Sequence, residues 1–114
     1  MKKTLRISLY GLLLLSSCNS TPTGYTVKGS IDDSTYNGKT IYIKRFDDQK
    51  IIDSTRIENN RFSFCGEIDT AVFCRIDISL DKYVSFILES GHISADVHHH
   101  CATGSSLNDA KNKI

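Results

Sequence analysis

"RFSFCGEI", residues 61–68, decides the fold class. Phe62, Phe64 and Ile68 fall on one side of the chain, and Arg61, Ser63, Cys65 and Glu67 on the other. That period of two belongs to an extended strand with one buried face; a helix would scatter the same residues around its axis. The alternation recurs on both sides of this stretch. It is found in "YTVKGSI" (25–31), "TIYIKRF" (40–46), "VFCRIDI" (72–78), "YVSFILE" (83–89) and "HISADVH" (92–98), with a more polar version in "IIDSTRI" (51–57). Seven short strands, each with one apolar face, predict a small antiparallel β-sandwich whose two sheets bury those faces against each other.

Turn chemistry separates the strands. "DDSTYNGK" (32–39) contains Asn37-Gly38, a pair suited to tight turns. "DDQK" (47–50), "ENN" (58–60), "LDK" (80–82) and "ESGH" (89–92) read as hairpin loops. No helix is expected before residue 106. "LNDAKNKI" (107–114) reads as the start of one, with Ser106 or Asn108 as its cap and too few apolar positions to stand alone.

The N-terminus reads as an address. Lys2, Lys3 and Arg6 precede an apolar run from Ile7 to Leu15, which ends at Ser16, Ser17 and Cys18. This is the pattern of a secretory signal, too short to span a membrane permanently. Leu15-Ser16-Ser17-Cys18 resembles the bacterial lipobox, in which the cysteine thiol is acylated and becomes the first mature residue. The expected organisation is a signal peptide over 1–17, acylated Cys18 with a flexible tether over 18–24, and a β-sandwich over 25–102. Residues 103–114 are expected to form a turn and helix start that link to a domain this sequence lacks. The expected location is the bacterial cell envelope, anchored by lipid, periplasm-facing or on the outer membrane.

Charge narrows the partners. Of 14 basic residues, 11 remain once Lys2, Lys3 and Arg6 are removed, against 13 acidic ones, so the mature chain carries −2. A nucleic-acid binder needs a basic footprint, and none is present. No cofactor is expected. Asp32-Asp33 and Asp47-Asp48 are read as solvated turns rather than calcium ligands. No G-x-S-x-G context supports a serine nucleophile, and no C-x-x-C supports a redox pair.

Two clusters carry possible chemistry. Cys65 and Cys74 flank an expected hairpin at Asp69-Thr70, where a two-residue loop would place them opposite each other. That register splits the apolar faces of the two strands, so a buried, unbonded Cys74 is the better reading. In "DVHHHC" (96–101), a continued strand would put Asp96, His98 and His100 on one face, at i, i+2 and i+4. Such a set could hold zinc or copper with a further ligand from another strand, and Cys101 could approach at a bend. The alternative is a polar strand face running into a loop; His92 lies too far along the strand to join.

"GYTVKGSI" (24–31), "GKTIYIKRFDDQKIIDSTRIENNRFSFCGEID" (38–69), "VSFILESGHISADV" (84–97) and "GSSLND" (104–109) together resemble a known family. It is the N-terminal domain of unknown function of Bacteroidetes-type envelope lipoproteins in the thioredoxin-like (AhpC/TSA, thiol–disulfide isomerase) group. The resemblance covers residues 24–110. It is most specific at Ile52-Asp53-Ser54-Thr55, Phe62-Ser63-Phe64, Leu88-Glu89-Ser90-Gly91 and Asn108-Asp109. Gly104-Ser105-Ser106 stands where the family has Gly-Thr-Pro. The family continues into a thioredoxin-like domain with its C-x-x-C, which lies outside this sequence. The resemblance implies a β-sandwich without catalytic residues of its own. The expected role is that of a binding or spacer module for a thiol–disulfide oxidoreductase, with the lipobox cysteine Cys18 as its contact with the membrane. The alternatives are a metal-handling lipoprotein using Asp96, His98 and His100, and a fragment with no separate function.

Overall fold

The structure, a computed structural model, describes residues 23–113. The signal segment and Cys18 lie outside the described residues. Among the described residues eight strands form: β1 (Gly24–Ser30), β2 (Thr40–Arg45), β3 (Ile51–Arg56), β4 (Arg61–Glu67), β5 (Val72–Ser79), β6 (Lys82–Leu88), β7 (Gly91–Asp96) and β8 (Cys101–Thr103). A 3-10 turn spans Ser34–Tyr36, and among the described residues one helix, α1, spans Ser106–Asn112. The strands build two four-stranded sheets, in the orders β4-β1-β7-β8 and β3-β2-β5-β6.

The expected all-β sandwich is what the chain forms, with two amendments. An eighth strand, β8, pairs antiparallel with β7, and β1 pairs parallel with β7. The hairpins expected at 47–50 and 80–82 are present, joining β2 to β3 and β5 to β6. The loops at 32–39, 58–60 and 89–92 instead carry the chain from one sheet to the other. So does the loop at 69–71, which places β4 and β5 in different sheets. Period-two patterning states which face is buried and not which strand is the neighbour.

The alternating residues meet between the sheets. Val27, Phe62, Phe64 and Ile93 from the first sheet pack with Ile41, Ile43, Ile76, Val84, Phe86 and Leu88 from the second, each 3% exposed or less. Burying side chains of this size contributes about 1.5–3 kcal/mol each.

The β1–β4 pair shows why glycines stand inside these strands. Tyr25 lies opposite Gly66, and Gly29 opposite Phe62, with Val27 opposite Phe64 between them. Each aromatic ring lies over the glycine across from it. A Cβ on Gly29 would sit 2.4 Å from Phe62 Cζ, and one on Gly66 2.7 Å from the Tyr25 hydroxyl. The glycines inside "YTVKGSI" and "RFSFCGEI" thus make room for two rings that no wider residue would admit.

Gly29→Ala is expected to destabilise the protein by about 1–3 kcal/mol through overpacking. The check is the urea midpoint, with Phe62→Leu added to the Gly29→Ala protein. A partial recovery in the double variant identifies the ring contact as the cause; no recovery refutes it.

Candidate functional site

The histidine cluster does not form the strand face that the spacing suggests. β7 ends at Asp96, and residues 97–100 turn the chain back into β8. The Asp96 carboxylate closes that turn. It accepts from the His98 and His99 amides at 3.0 and 2.9 Å and meets His99 Nδ1 at 2.8 Å. The His99 amide and ring, with the His98 amide, hold this carboxyl below the usual carboxylate range. His100 takes a positive φ of 62° and swings to β6, where its Nδ1 lies 3.0 Å from the Tyr83 carbonyl oxygen. A carbonyl only accepts, so Nδ1 carries the proton. The imidazole stacks on the Tyr83 ring at 4.0 Å between centroids. Asp96, His98 and His100 are therefore not gathered on one face. Among the described residues no group of three His, Cys, Asp or Glu side chains is placed to hold a metal ion. His92 is on β7 beside Thr26 of β1.

His100 belongs to a different device, built along the outer edge of β6. An edge strand exposes unpaired amides and carbonyls that invite another chain. Here residues 100–108 occupy them. His100 bonds the Tyr83 carbonyl, and the His100 carbonyl accepts from the Ser85 amide at 3.4 Å. Asn108 does the same for Ile87. Its Oδ1 accepts from the Ile87 amide at 2.8 Å, and its Nδ2 donates to the Ile87 carbonyl at 2.7 Å and to Ser105 Oγ at 2.8 Å. A primary amide offers the same donor and acceptor spacing as a peptide group, so this side chain acts as one residue of a ninth strand. It is 1% exposed with both nitrogen protons and its oxygen engaged.

Neighbouring residues lock the same clasp. Glu89 Oε2 accepts from the Leu107 amide in the first turn of α1, at 2.7 Å. A carboxylate there also suits the positive end of the helix. Asp109 Oδ1 accepts from the Gly104 amide at 2.9 Å, and Asn112 Nδ2 donates to the Ala102 carbonyl at 2.8 Å. Gly104 has φ +98°, and a Cβ there would lie 2.9 Å from the His92 carbonyl oxygen. The expected cap at Ser106 or Asn108 is corrected. Ser105 stands at the N-cap without a side-chain bond, and Asn108 lies inside the helix, turned to β6. Helix propensity had no means of finding that role. The Leu88-Glu89 and Asn108-Asp109 motifs were the available signal, since Glu89 bonds the residue before Asn108 and Asn108 bonds the residue before Leu88.

At the opposite edge, the Tyr25 hydroxyl of β1 donates to Asp53 Oδ2 of β3 at 2.7 Å, tying the two sheets. Burial, then Asp53, raises the Tyr25 pKa, so this phenol stays protonated. Cys74 is a free, fully buried thiol pushed up to about 11 by burial. No bond joins it to Cys65, as the apolar pattern predicts, although the hairpin on which that reading rested is absent. A thiol so placed is a core side chain and a poor nucleophile. Cys101 is a free, half-buried thiol opposite Asp96.

A groove of about 870 Å³ opens at the end of the β1–β7 pair, with Asp32, Asp81, Lys82, Asp96 and His98 beside Ile31, Ala95 and Val97 on its walls. The Ser79 hydroxyl, then Lys82, holds the Asp81 carboxyl below its ordinary range.

An eight-stranded, all-β sandwich with a helix clasped to one edge is the class of domain these observations define. The family model described as a domain of unknown function, DUF4369, matches residues 25–110. The chain belongs to that family. No curated protein and no solved structure matches.

Two outcomes test this site. Asn108→Ala leaves the amide and carbonyl of Ile87 without their partners, at a cost of about 1–3 kcal/mol for each group not reached by water. Chemical denaturation should show a clear loss of stability, and an unchanged midpoint would remove Asn108 from this role. Because the folded pKa of Asp96 is depressed, its stabilisation of the turn is complete above the unfolded value of about 4 and is lost as pH falls below it. The His98 and His99 amides should lose exchange protection over that range in the wild type; protection that persists below it contradicts the assignment.

Proposed function

We propose that this chain is a lipid-anchored envelope protein whose β-sandwich serves as a non-catalytic binding or spacer module for a thiol–disulfide oxidoreductase. The observation that carries the reading is the use made of the most distinctive motif residues. Glu89 and Asn108 are consumed in backbone hydrogen bonds that fix α1 to β6 and the residue after it, and Asp109 in one that closes the turn at Gly104, rather than converging on a reacting centre. A helix of seven residues does not persist by itself in water, so the clasp is what gives it one direction. A module that sets the direction of its own C-terminal helix suits the positioning of a neighbour. Further support comes from Cys18 directly after the apolar segment and from Cys74, whose burial leaves it unsuited to exchange.

Two measurements test the two parts. Mass analysis of the native protein from its host's membrane fraction should give an N-terminal peptide starting at Cys18 and carrying diacylglyceryl and acyl groups. An unmodified thiol or a retained signal segment would overturn the anchor. A photo-crosslinking side chain at Ala110, which is exposed on α1, should capture a thioredoxin-like oxidoreductase in the intact envelope. Capture of other proteins only, from cells that accumulate the acylated protein, would overturn the partner.

A further inference from the structure

The outer face of the β3-β2-β5-β6 sheet departs from an ordinary solvated surface. Of the six large hydrophobic side chains most exposed among the described residues, five lie on it or on the helix beside it: Tyr42, Phe46, Ile51, Phe73 and Leu107. Strand pairing sets them side by side. Phe46 and Phe73 touch at 4.8 Å between ring centroids, and Phe73 lies opposite Ile87. Cations border the rings. Lys44 reaches over Tyr42 at 6.0 Å, and Lys111 reaches from α1 over Phe73 at 5.9 Å. Asp77, on the same face, is paired with Arg75 at 2.7 Å, and Asp47 and Asp48 at the rim flank Arg45. The face therefore offers apolar rings with two lysines that form no ion pair among the described residues, on a mature chain of net charge −2.

Rings at an interface and lysines whose stems lie along them are what a bilayer surface receives: rings at the level of the glycerol, ammonium groups at the phosphates. The chain enters the sandwich at the end that would meet that surface. The Ile68 amide donates to the Thr23 carbonyl at 2.9 Å, and only Asp69, Thr70 and Ala71 separate Ile68 from β5, whose second residue is Phe73. Cys18 lies five residues before Thr23, a reach of at most about 18 Å.

We propose that this face, centred on Phe46 and Phe73 and flanked by Lys44 and Lys111, lies on an anionic membrane surface, so that the sandwich reclines on the bilayer instead of standing off it. The proposal rests on the anchor at Cys18. A protein partner on the same face would need neither the short tether nor its point of entry.

The chain has no tryptophan, so one introduced indole reports its own surroundings. Phe73→Trp and, separately, Leu80→Trp are prepared as the full acylated protein, with acylation established by mass. Leu80 is 98% exposed at the far end of β5. Each is reconstituted in vesicles of phosphatidylethanolamine and phosphatidylglycerol carrying brominated acyl chains. The indole at 73 should shift to the blue and lose emission to bromine, while that at 80 keeps it. Lys44→Glu with Lys111→Glu in the Phe73→Trp protein should restore the emission. Phe46→Trp gives a second reading should the first variant fold poorly. Acylated protein in which position 73 is no more quenched than position 80 overturns the proposal and leaves the face to a protein partner. Protein without acyl groups would instead count against the anchor.

Discussion

The outer edge of β6 is the constraint on which the arrangement of this domain turns. A sandwich of two four-stranded sheets has open edges, and each presents peptide groups that must find partners or water. Along β6 the chain supplies those partners from its own last segment. One is a histidine held at positive φ, and another is an asparagine that imitates a peptide group from inside a helix. The edge is closed to other strands, and α1 gains the docking that its length denies it. The turn at 97–100 becomes necessary too, since it delivers His100 and β8 to the place where the first sheet meets β6.

The other edges are handled by different means. Tyr25 and Asp53 tie β1 to β3 across the sandwich with a hydrogen bond between a phenol that stays protonated and a carboxylate. That bond depends in turn on Gly66, because a side chain there would push the tyrosine ring away from Asp53. Asp53, Gly66, Glu89 and Asn108 thus all belong to the problem of closing a small sandwich.

The sandwich was legible in the sequence because its physics is local. Alternation in "RFSFCGEI" and "VFCRIDI" identifies the buried rows, and the structure buries Phe62, Phe64, Ile76 and Ile78 accordingly. Pairing was less legible. Nothing in the spacing of Cys65 and Cys74 says that the loop between them crosses from sheet to sheet, and nothing in "HISADVH" says that β7 runs parallel to β1. The histidines were misplaced for a specific reason. The strand period was carried past Asp96, whose carboxylate instead captures the next two amides and ends the strand. Asn108 looked like a cap because capping is the local role of asparagine, whereas its partner, Ile87, lies 21 residues away.

Native-state hydrogen exchange at Ser85 and Ile87 tests the sealed edge most directly. If residues 100–108 close β6, these two amides exchange as slowly as that of Ile76 in the centre of the same sheet, opening only when the whole domain unfolds. Exchange at rates near those of a solvated loop, with Ile76 still protected, would mean that the edge stands open and that the clasp does not govern this fold.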